Sequence, residues 1–299
     1  MNRRTLFAAA AAGAAAVLPA AAPAAPVAGS GRSRERFVAA ADGERLYVQD
    51  WGHGRALFFV HGWTMNTEFW EYQAEAMLEA GFRVVAYDQR GCGRSSQAAF
   101  GFDFDTLADD MDAVMRALDL RDVVVVAHSM GCALVARYLS RHGAARVAKV
   151  VLASTTTPGL FLDPAAAQAV DDSLVAAIRA DRPRYLAELA QPFFSPVKVT
   201  PELLRWGVDL ALKASLRAAV AYTRTNVHAD MRGDLGAFSM PTLIVHGSGD
   251  ISTPLAQSGA RTAAAIPGSR LVVYDGAPHG LPLTHSARLN QDIAAFARA

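Results

Sequence analysis

Four consecutive valines are followed three positions later by a serine that has a small residue two positions before it and another two positions after it. The valines lie in a predicted strand over residues 122–127, because a continuous apolar run of this length is typical of a parallel strand buried on both faces. The segment Ala127-His128-Ser129-Met130-Gly131-Cys132 then leads into a predicted helix over residues 130–141. A sharp turn between a strand and a helix lifts its central side chain clear of the backbone, and small residues on either side prevent clashes. Ser129 is therefore a candidate nucleophile, with a simple helix cap as the alternative.

The same alternation of strands and helices extends through most of the chain after about Arg36. The other predicted strands are Arg45–Trp51, Ala56–Val60, Arg83–Tyr87, Val147–Ala153, residues 242–246 and Arg270–Tyr274. The other predicted helices are residues 68–79, 106–118, 256–265 and 286–297. This alternation predicts an α/β fold with a mostly parallel sheet covered by helices on both faces.

The alternation stops between residues 157 and 236, where helical patterns and scattered aromatic residues replace the strands. We interpret this segment as a helical cap over the ends of the strands. The sequence thus predicts a core formed by residues 31–156 and 237–299, with the cap inserted between them.

The N-terminus has the organisation of an export signal. Arg3 and Arg4 precede an Ala-rich apolar run that ends near Leu18, and Ala22-Pro23-Ala24 provides a small-x-small cleavage site. The paired arginines resemble a twin-arginine signal. The run is too short for a membrane span, so no stable membrane association is expected. We interpret residues 1–30 as a signal or disordered leader and expect an exported, periplasmic or secreted protein; ordinary secretion and a retained anchor are the alternatives.

Composition and motifs exclude several classes of function. The net charge is +1, with no basic stripe, which disfavours nucleic acid as a partner. No glycine-rich phosphate motif opens a helix, and the histidines and cysteines lack ligand spacing, so we expect no cofactor and no metal. Cys92 and Cys132 are interpreted as buried free thiols, with a disulfide as the alternative.

Two further loops complete a candidate catalytic set. Asp250 lies in the loop after the strand over residues 242–246, and His279 lies in the loop after the strand Arg270–Tyr274. The carboxyl ends of parallel strands meet at one edge of a sheet, where ligands bind. A serine hydroxyl needs a histidine to take its proton, and a carboxylate must orient that histidine. The chain order serine, aspartate, histidine predicts Ser129 as nucleophile, Asp250 as orienting acid and His279 as base.

The loop His61-Gly62-Trp63-Thr64 follows the strand Ala56–Val60 and fits an oxyanion hole. We predict that the backbone N–H groups of Trp63 and Met130 are its donors, and that the indole of Trp63 lines an acyl pocket. A core tryptophan at a tight turn is the alternative. Asp88 and Arg94 are predicted to form a structural loop network, and His128 is predicted to point away from the nucleophile.

Several motifs resemble the cofactor-free bacterial haloperoxidases and their aryl esterase relatives, members of the α/β-hydrolase superfamily. The similarity covers nearly the whole chain after about residue 36. It is carried by the residues around the sharp turn at Ser129 (the nucleophile elbow), by residues 118–122, 145–149 and 276–285, by His61-Gly62-Trp63 and by Asp88-Gln89-Arg90-Gly91. The resemblance implies the α/β-hydrolase fold, a small-molecule ester or carboxylic acid as substrate, peracid formation from carboxylic acids and hydrogen peroxide, and a homo-oligomer.

Three positions depart from that group. Cys132 stands where the group usually has glycine, Cys92 replaces a more typical His or Phe, and Thr64 stands where haloperoxidases tend to have proline. Because proline fixes φ, Thr64 is expected to leave the loop with ordinary freedom and to favour ester hydrolysis over peracid formation.

The sequence therefore predicts a serine carboxylic ester hydrolase of the aryl or short-acyl type, acting through an acyl-enzyme. The alternatives are a perhydrolase or cofactor-free haloperoxidase that uses the same three residues, and a non-catalytic hydrolase-like receptor.

Overall fold

A computed structural model describes residues 34–299 of the chain. The predicted export signal in residues 1–30 lies outside the described residues and stays a prediction. Among residues 34–299, every helix falls short of the length and apolarity that crossing a bilayer requires.

Eight strands form one sheet in the described part of the chain. They are β1 (Arg34–Ala39), β2 (Arg45–Trp51), β3 (Ala56–Val60), β4 (Arg83–Tyr87), β5 (Val123–His128), β6 (Val147–Ala153), β7 (Thr242–Gly247) and β8 (Arg270–Tyr274). Their order is β1-β2-β4-β3-β5-β6-β7-β8. The pairs β1–β2 and β2–β4 are antiparallel, and every other pair is parallel. The predicted mostly parallel sheet is therefore confirmed.

Helices cover both faces of this sheet. They are α1 (Glu71–Glu79), α2 (Phe104–Ala117), α3 (Met130–His142), α4 (Pro164–Phe194), α5 (Pro201–Leu212), α6 (Leu216–Val227), α7 (Gly259–Ala265), α8 (Leu281–Thr284) and α9 (Ser286–Arg298). The central strands β3 and β5 send alternate side chains to opposite faces. Phe58 and Val125 pack with α2 and α3, whereas Phe59 and Val124 pack with α1 and α9. Both faces are thus closed by apolar contacts, as the apolar runs predicted.

Most predicted elements lie within a few residues of their observed bounds, and three differences have physical causes. The helix predicted over residues 68–79 begins with a 3-10 turn, Thr67–Trp70, because the Asn66 side chain accepts the N–H of Glu68. The helix predicted over residues 256–265 begins only at Gly259, because residues 254–258 form a turn closed on the Pro254 carbonyl. The strand β1 was not predicted, because it is an edge strand with only three apolar residues, Phe37, Val38 and Ala39.

The segment between β6 and β7 contains α4, α5 and α6 and, within the described residues, no strand. Helix α4 is broken at Asp181, where the backbone leaves helical geometry, just before Pro183. The division of the chain into a core and a cap stays a prediction, but side chains from this segment contact the candidate site, as described next.

Candidate active site

Ser129 occupies a strained turn between β5 and α3. Its φ is 54° and its ψ is −126°, a conformation that a non-glycine residue adopts only when its surroundings enforce it. A Cβ on Gly131 would lie 2.7 Å from the carbonyl oxygens of Val60 and His61. A Cβ on Gly62 would lie 3.0 Å from the Cβ of Ser129. The two glycines therefore let the loop after β3 approach the serine closely, and the serine side chain stands at the end of the strand.

The structure brings Ser129, His279 and Asp250 into one hydrogen-bonded chain. The hydroxyl of Ser129 lies 2.9 Å from Nε2 of His279, and Nδ1 of His279 lies 2.8 Å from Oδ2 of Asp250. All three residues are buried, with Ser129 only 7% exposed. The Asp250 carboxylate accepts a hydrogen bond from Nδ1–H of His279, so the ring proton stays on Nδ1. Nε2 is then left with a lone pair that accepts a hydrogen bond from the serine O–H. This is the geometry that proton transfer from serine to histidine requires.

The Asp250 carboxylate is held by more than His279. Its Oδ1 accepts the backbone N–H groups of Ser252 and Thr253, and its Oδ2 accepts the Thr253 hydroxyl at 2.8 Å. Burial alone raises the pKa of Asp250, but the charge and hydrogen bond of His279, with the Thr253 N–H, hold that pKa well below its usual range. The carboxylate is therefore ionised, and its orientation is fixed by several donors.

The loop after β3 carries one predicted oxyanion donor, Trp63, and the start of α3 carries the other, Met130. The N–H of Met65 donates to the carbonyl of Gly62, which closes a turn around Trp63 and Thr64. Met130 is the first residue of α3, and the first N–H groups of a helix have no carbonyl partner within the helix. The indole of Trp63 donates to the Thr223 hydroxyl at 3.1 Å and to the Ala219 carbonyl at 3.3 Å, so α6 fixes its orientation.

Thr64 is not an ordinary loop residue, and the expectation of ordinary backbone freedom at this position is wrong. Its φ is 53°, a left-handed conformation that is rare for a β-branched side chain. It is 1% exposed, and its hydroxyl has no hydrogen-bond partner among the described residues. Proline, whose φ is fixed near −65°, cannot adopt this backbone conformation. A proline here must therefore rebuild the loop rather than stiffen it.

His128 packs against His279, the predicted base. Its Nε2 is 3.0 Å from the carbonyl oxygen of His279, and its ring centroid is 4.9 Å from that of His279 and 4.9 Å from that of Phe69. Burial, followed by the charge of His279, lowers the pKa of His128 to about 3. The ring is therefore neutral at ordinary pH. Its hydrogen bond is directed to the histidine loop and not to the Ser129 hydroxyl, as predicted.

Phe193, at the end of α4, packs directly on the histidine loop. Its ring centroid lies 5.4 Å from that of His279, and its carbonyl accepts the N–H of Gly280 at 2.9 Å. A Cβ on Gly280 would lie 2.6 Å from the Phe193 ring, so the contact depends on glycine. The segment between β6 and β7 is thus joined to the candidate site through both Phe193 and Thr223.

The remaining candidates have structural surroundings. Asp88 accepts the backbone N–H groups of Thr67 and Arg94, which agrees with the predicted loop network. Cys92 and Cys132 are buried and free, and burial raises the pKa of Cys132 to about 12. Over residues 34–299, no group of three or more histidine, cysteine or acidic side chains is placed to hold a metal ion.

Sequence reasoning missed the contacts that three residues make at this site. Thr253 follows the acid by three positions and could have been suspected as a donor that holds a carboxylate. His128 was noticed, but its bond to His279 spans 151 positions of the chain and has no local signal. Phe193 lies in the helical segment, where the sequence offers no landmark near the catalytic loops.

Comparisons with known proteins agree with this fold. A family model described as the alpha/beta hydrolase fold matches residues 55–197. A non-heme chloroperoxidase from Kitasatospora aureofaciens is 34% identical, in an alignment that covers 85% of this chain and 96% of the relative. A bifunctional esterase/perhydrolase from Acinetobacter calcoaceticus is 34% identical, with 88% of this chain and 99% of the relative covered. The solved structure of an esterase from Exiguobacterium antarcticum has a TM-score of 0.84 at 30% identity and covers 88% of this chain and 99% of that chain. The resemblance noted from the sequence is confirmed.

Proposed function

The chain belongs to the α/β-hydrolase family, and from this premise we propose that it is a serine carboxylic ester hydrolase that acts through an acyl-enzyme. The observation that carries the proposal is the hydrogen-bonded chain from Asp250 through His279 to Ser129, with separations of 2.8 and 2.9 Å. The esterase and the esterase/perhydrolase among the similar proteins support it.

In the proposed reaction, the Ser129 oxygen attacks the ester carbonyl while His279 Nε2 takes the serine proton. Asp250 keeps the Nδ1 proton in place and stabilises the imidazolium that forms. The N–H groups of Trp63 and Met130 stabilise the oxyanion, each worth very roughly 3 kcal/mol. His279 then returns the proton to the alcohol, which leaves. Water, activated by the same histidine, attacks the acyl-enzyme and releases the carboxylic acid.

The test is Ser129→Ala assayed on a panel of uncharged aryl and alkyl esters. We expect the variant to fold normally and to lose nearly all activity, because a lost nucleophile costs several orders of magnitude. A fluorophosphonate probe should label the wild-type protein at Ser129 and leave the variant unlabelled. A loss of less than about tenfold would show that Ser129 is not the nucleophile. A wild-type protein that neither turns over esters nor takes the label would favour the alternative of a non-catalytic receptor.

A second candidate function is perhydrolysis at the same residues, because two similar proteins are a chloroperoxidase and an esterase/perhydrolase. Hydrogen peroxide would replace water in the attack on the acyl-enzyme and release a peracid, which then oxidises halide in solution. Supplying acetate and peroxide with a chelator present, and measuring peracid, tests this candidate. Peracid formation faster than ester hydrolysis would make perhydrolysis the main function.

We further propose that the protein is exported by the signal in residues 1–30. Sequencing the N-terminus of the native protein tests this. A mature N-terminus after about residue 24, in protein recovered outside the cytoplasm, is the expected result. An intact Met1 on active protein confined to the cytoplasm would contradict it.

A further inference from the structure

Gly207 lies in the interior of α5, where glycine is unfavourable. A glycine within a helix costs about 1 kcal/mol relative to alanine. Two other helical glycines have a clear reason: a Cβ would lie 2.7 Å from backbone oxygens at Gly131 and 2.7 Å from the His246 ring at Gly259. At Gly207, a Cβ would have one neighbour outside its own helix within 4 Å, the Phe194 ring at 3.9 Å. Its φ is not positive. Neither backbone conformation nor packing among the described residues therefore requires glycine here.

Gly207 instead borders an apolar cavity between α4 and α5. Ala190 and Phe194 of α4 line the same cavity, and so do Trp63, Phe193 and Leu283. Trp63 belongs to the predicted oxyanion loop, and the Phe193 ring packs on His279. The cavity is therefore lined by Gly207 and also by two residues that adjoin the candidate site.

The lining of this cavity restricts its occupant. No lining residue carries a charged side chain, and the Trp63 indole N–H is already bonded to Thr223 and Ala219. A charged or strongly polar group would lose its hydration here without gaining a partner, whereas an apolar group gains by leaving water. The cavity fits an uncharged aliphatic or aromatic group.

We propose that Gly207 determines how large an apolar group of the ester substrate the enzyme accepts. The inference rests on the proposed ester hydrolysis and adds a specificity-determining residue to it. The missing side chain leaves room in the cavity beside Phe194, and a side chain at position 207 would occupy space that the substrate uses. The apolar group can belong to the acyl part or to the alcohol part of the ester, and the two are separated by experiment.

The experiment compares wild type, Gly207→Ala and Gly207→Leu on two ester series. One series lengthens the acyl chain from acetate to octanoate on a fixed alcohol, and the other lengthens the alkyl alcohol on a fixed acetate. In one of the series, Gly207→Leu should lower kcat/KM progressively, by about fourfold for each methylene group that is excluded. The shortest ester should stay within about twofold of wild type. Gly207→Ala should raise the melting temperature, since alanine favours the helix. It should also shorten the preferred acyl or alkyl chain of the ester less than Gly207→Leu does.

Matched variants on α4 separate a steric effect from a general disturbance. Ala190→Leu projects into the same cavity and should reproduce the shortened chain-length profile. Ala187 is exposed and lies about one helical turn before Ala190, so Ala187→Leu should leave the chain-length profile unchanged. If Gly207→Leu does not fold, Gly207→Ala and Ala190→Leu still test the proposal. Profiles of folded variants that run parallel to wild type in both series would overturn it.

Failure of the proposed function is recognised separately. A wild-type protein that hydrolyses no ester of either series contradicts ester hydrolysis itself. Binding of octanamide to Ser129→Ala protein, measured by calorimetry, then tests the cavity without catalysis. Adding Gly207→Leu should weaken that binding by at least tenfold, and an unchanged affinity overturns the assignment of Gly207.

Discussion

His128 donates a hydrogen bond from Nε2 to the carbonyl oxygen of His279, 3.0 Å away, although 151 positions separate the two residues. A carbonyl can only accept, so the His128 proton resides on Nε2 and Nδ1 carries a lone pair. That Nδ1 is buried without a hydrogen-bond partner among the described residues. An unsatisfied buried acceptor such as this Nδ1 lowers the stability of the fold. We infer that the bond from Nε2 to the His279 carbonyl offsets this cost by holding His279 in position.

The first prediction concerns this bond. His128→Phe keeps an aromatic ring against Phe69 but removes the donor, whereas His128→Gln keeps an N–H donor and removes the ring. We expect kcat to fall on the order of tenfold in His128→Phe and less in His128→Gln, with KM nearly unchanged in both, because His279 loses its support rather than the substrate. Steady-state kinetics on one ester decide this, and equal losses in both variants would contradict it.

The second prediction concerns acid stability. The pKa of His128 is about 3 in the folded protein, against about 6.5 in an unfolded chain. Between these values the unfolded state binds more protons, so the group's contribution to stability falls as the pH falls through that window. At pH 5 the cost is roughly 2 kcal/mol. Denaturation of wild type and His128→Phe at pH 7 and pH 5 should show the variant losing less stability, and a constant difference would disprove the assignment.

The third prediction concerns the acid. Asp250→Asn can still accept a hydrogen bond but offers the wrong tautomer partner to His279, so we expect kcat to fall roughly 10³- to 10⁴-fold with substrate binding retained. Asp234→Asn is the matched control, because Asp234 pairs with Arg137 and not with His279. Loss of activity in the control, with Asp250→Asn near wild type, would move the acid to Asp234.

The fourth prediction concerns Thr253. Thr253→Val keeps the backbone N–H that holds Oδ1 of Asp250 but removes the hydroxyl that holds Oδ2. A hydrogen bond to a buried charge is worth about 1.5–3 kcal/mol, so we expect kcat to fall on the order of tenfold. Thr253→Ser, which keeps the hydroxyl, should recover most of the rate. If serine and valine behave alike, the hydroxyl has no part in holding the acid.

The fifth prediction concerns Thr64. Glycine adopts a φ of 53° without strain, so Thr64→Gly should keep the wild-type ratio of peracid formation to ester hydrolysis. Thr64→Pro must move the predicted oxyanion loop, and we expect it to raise that ratio while lowering ester hydrolysis. Both rates are measured on one short acyl substrate, with a chelator present. A folded Thr64→Pro variant with an unchanged ratio would show that the loop does not control the choice between water and peroxide.

The sequence predicts the order and location of Ser129, Asp250 and His279 because each follows a strand of the sheet. Apolar strands identify the sheet, and a parallel sheet gathers its strand ends at one edge. The chemistry of the residue types then completes the assignment. These inferences need only local periodicity and the order of the motifs along the chain, and neither requires knowledge of a tertiary contact.

Other features depend on contacts that no local pattern records. The φ of Thr64 follows from how the loop after β3 meets the elbow, so the neighbouring residues in the chain do not indicate it. The bond from His128 to His279 and the contact of Phe193 with Gly280 join segments that are far apart in sequence. Such contacts depend on the packed backbone and on rotamers, which become defined only when the whole fold has formed.

The hydrogen bond from Gly280 to the Phe193 carbonyl has a consequence for engineering and for divergence within this family. We therefore do not expect the helical segment to be exchangeable in a way that alters selectivity and leaves turnover intact. Any rearrangement that displaces the end of α4 also displaces Gly280, the residue next to the proposed base His279, so we expect substrate range and rate to change together. If this segment is exchanged between relatives and the contact between positions 193 and 280 is not kept, we expect proteins that bind new esters but hydrolyse them slowly.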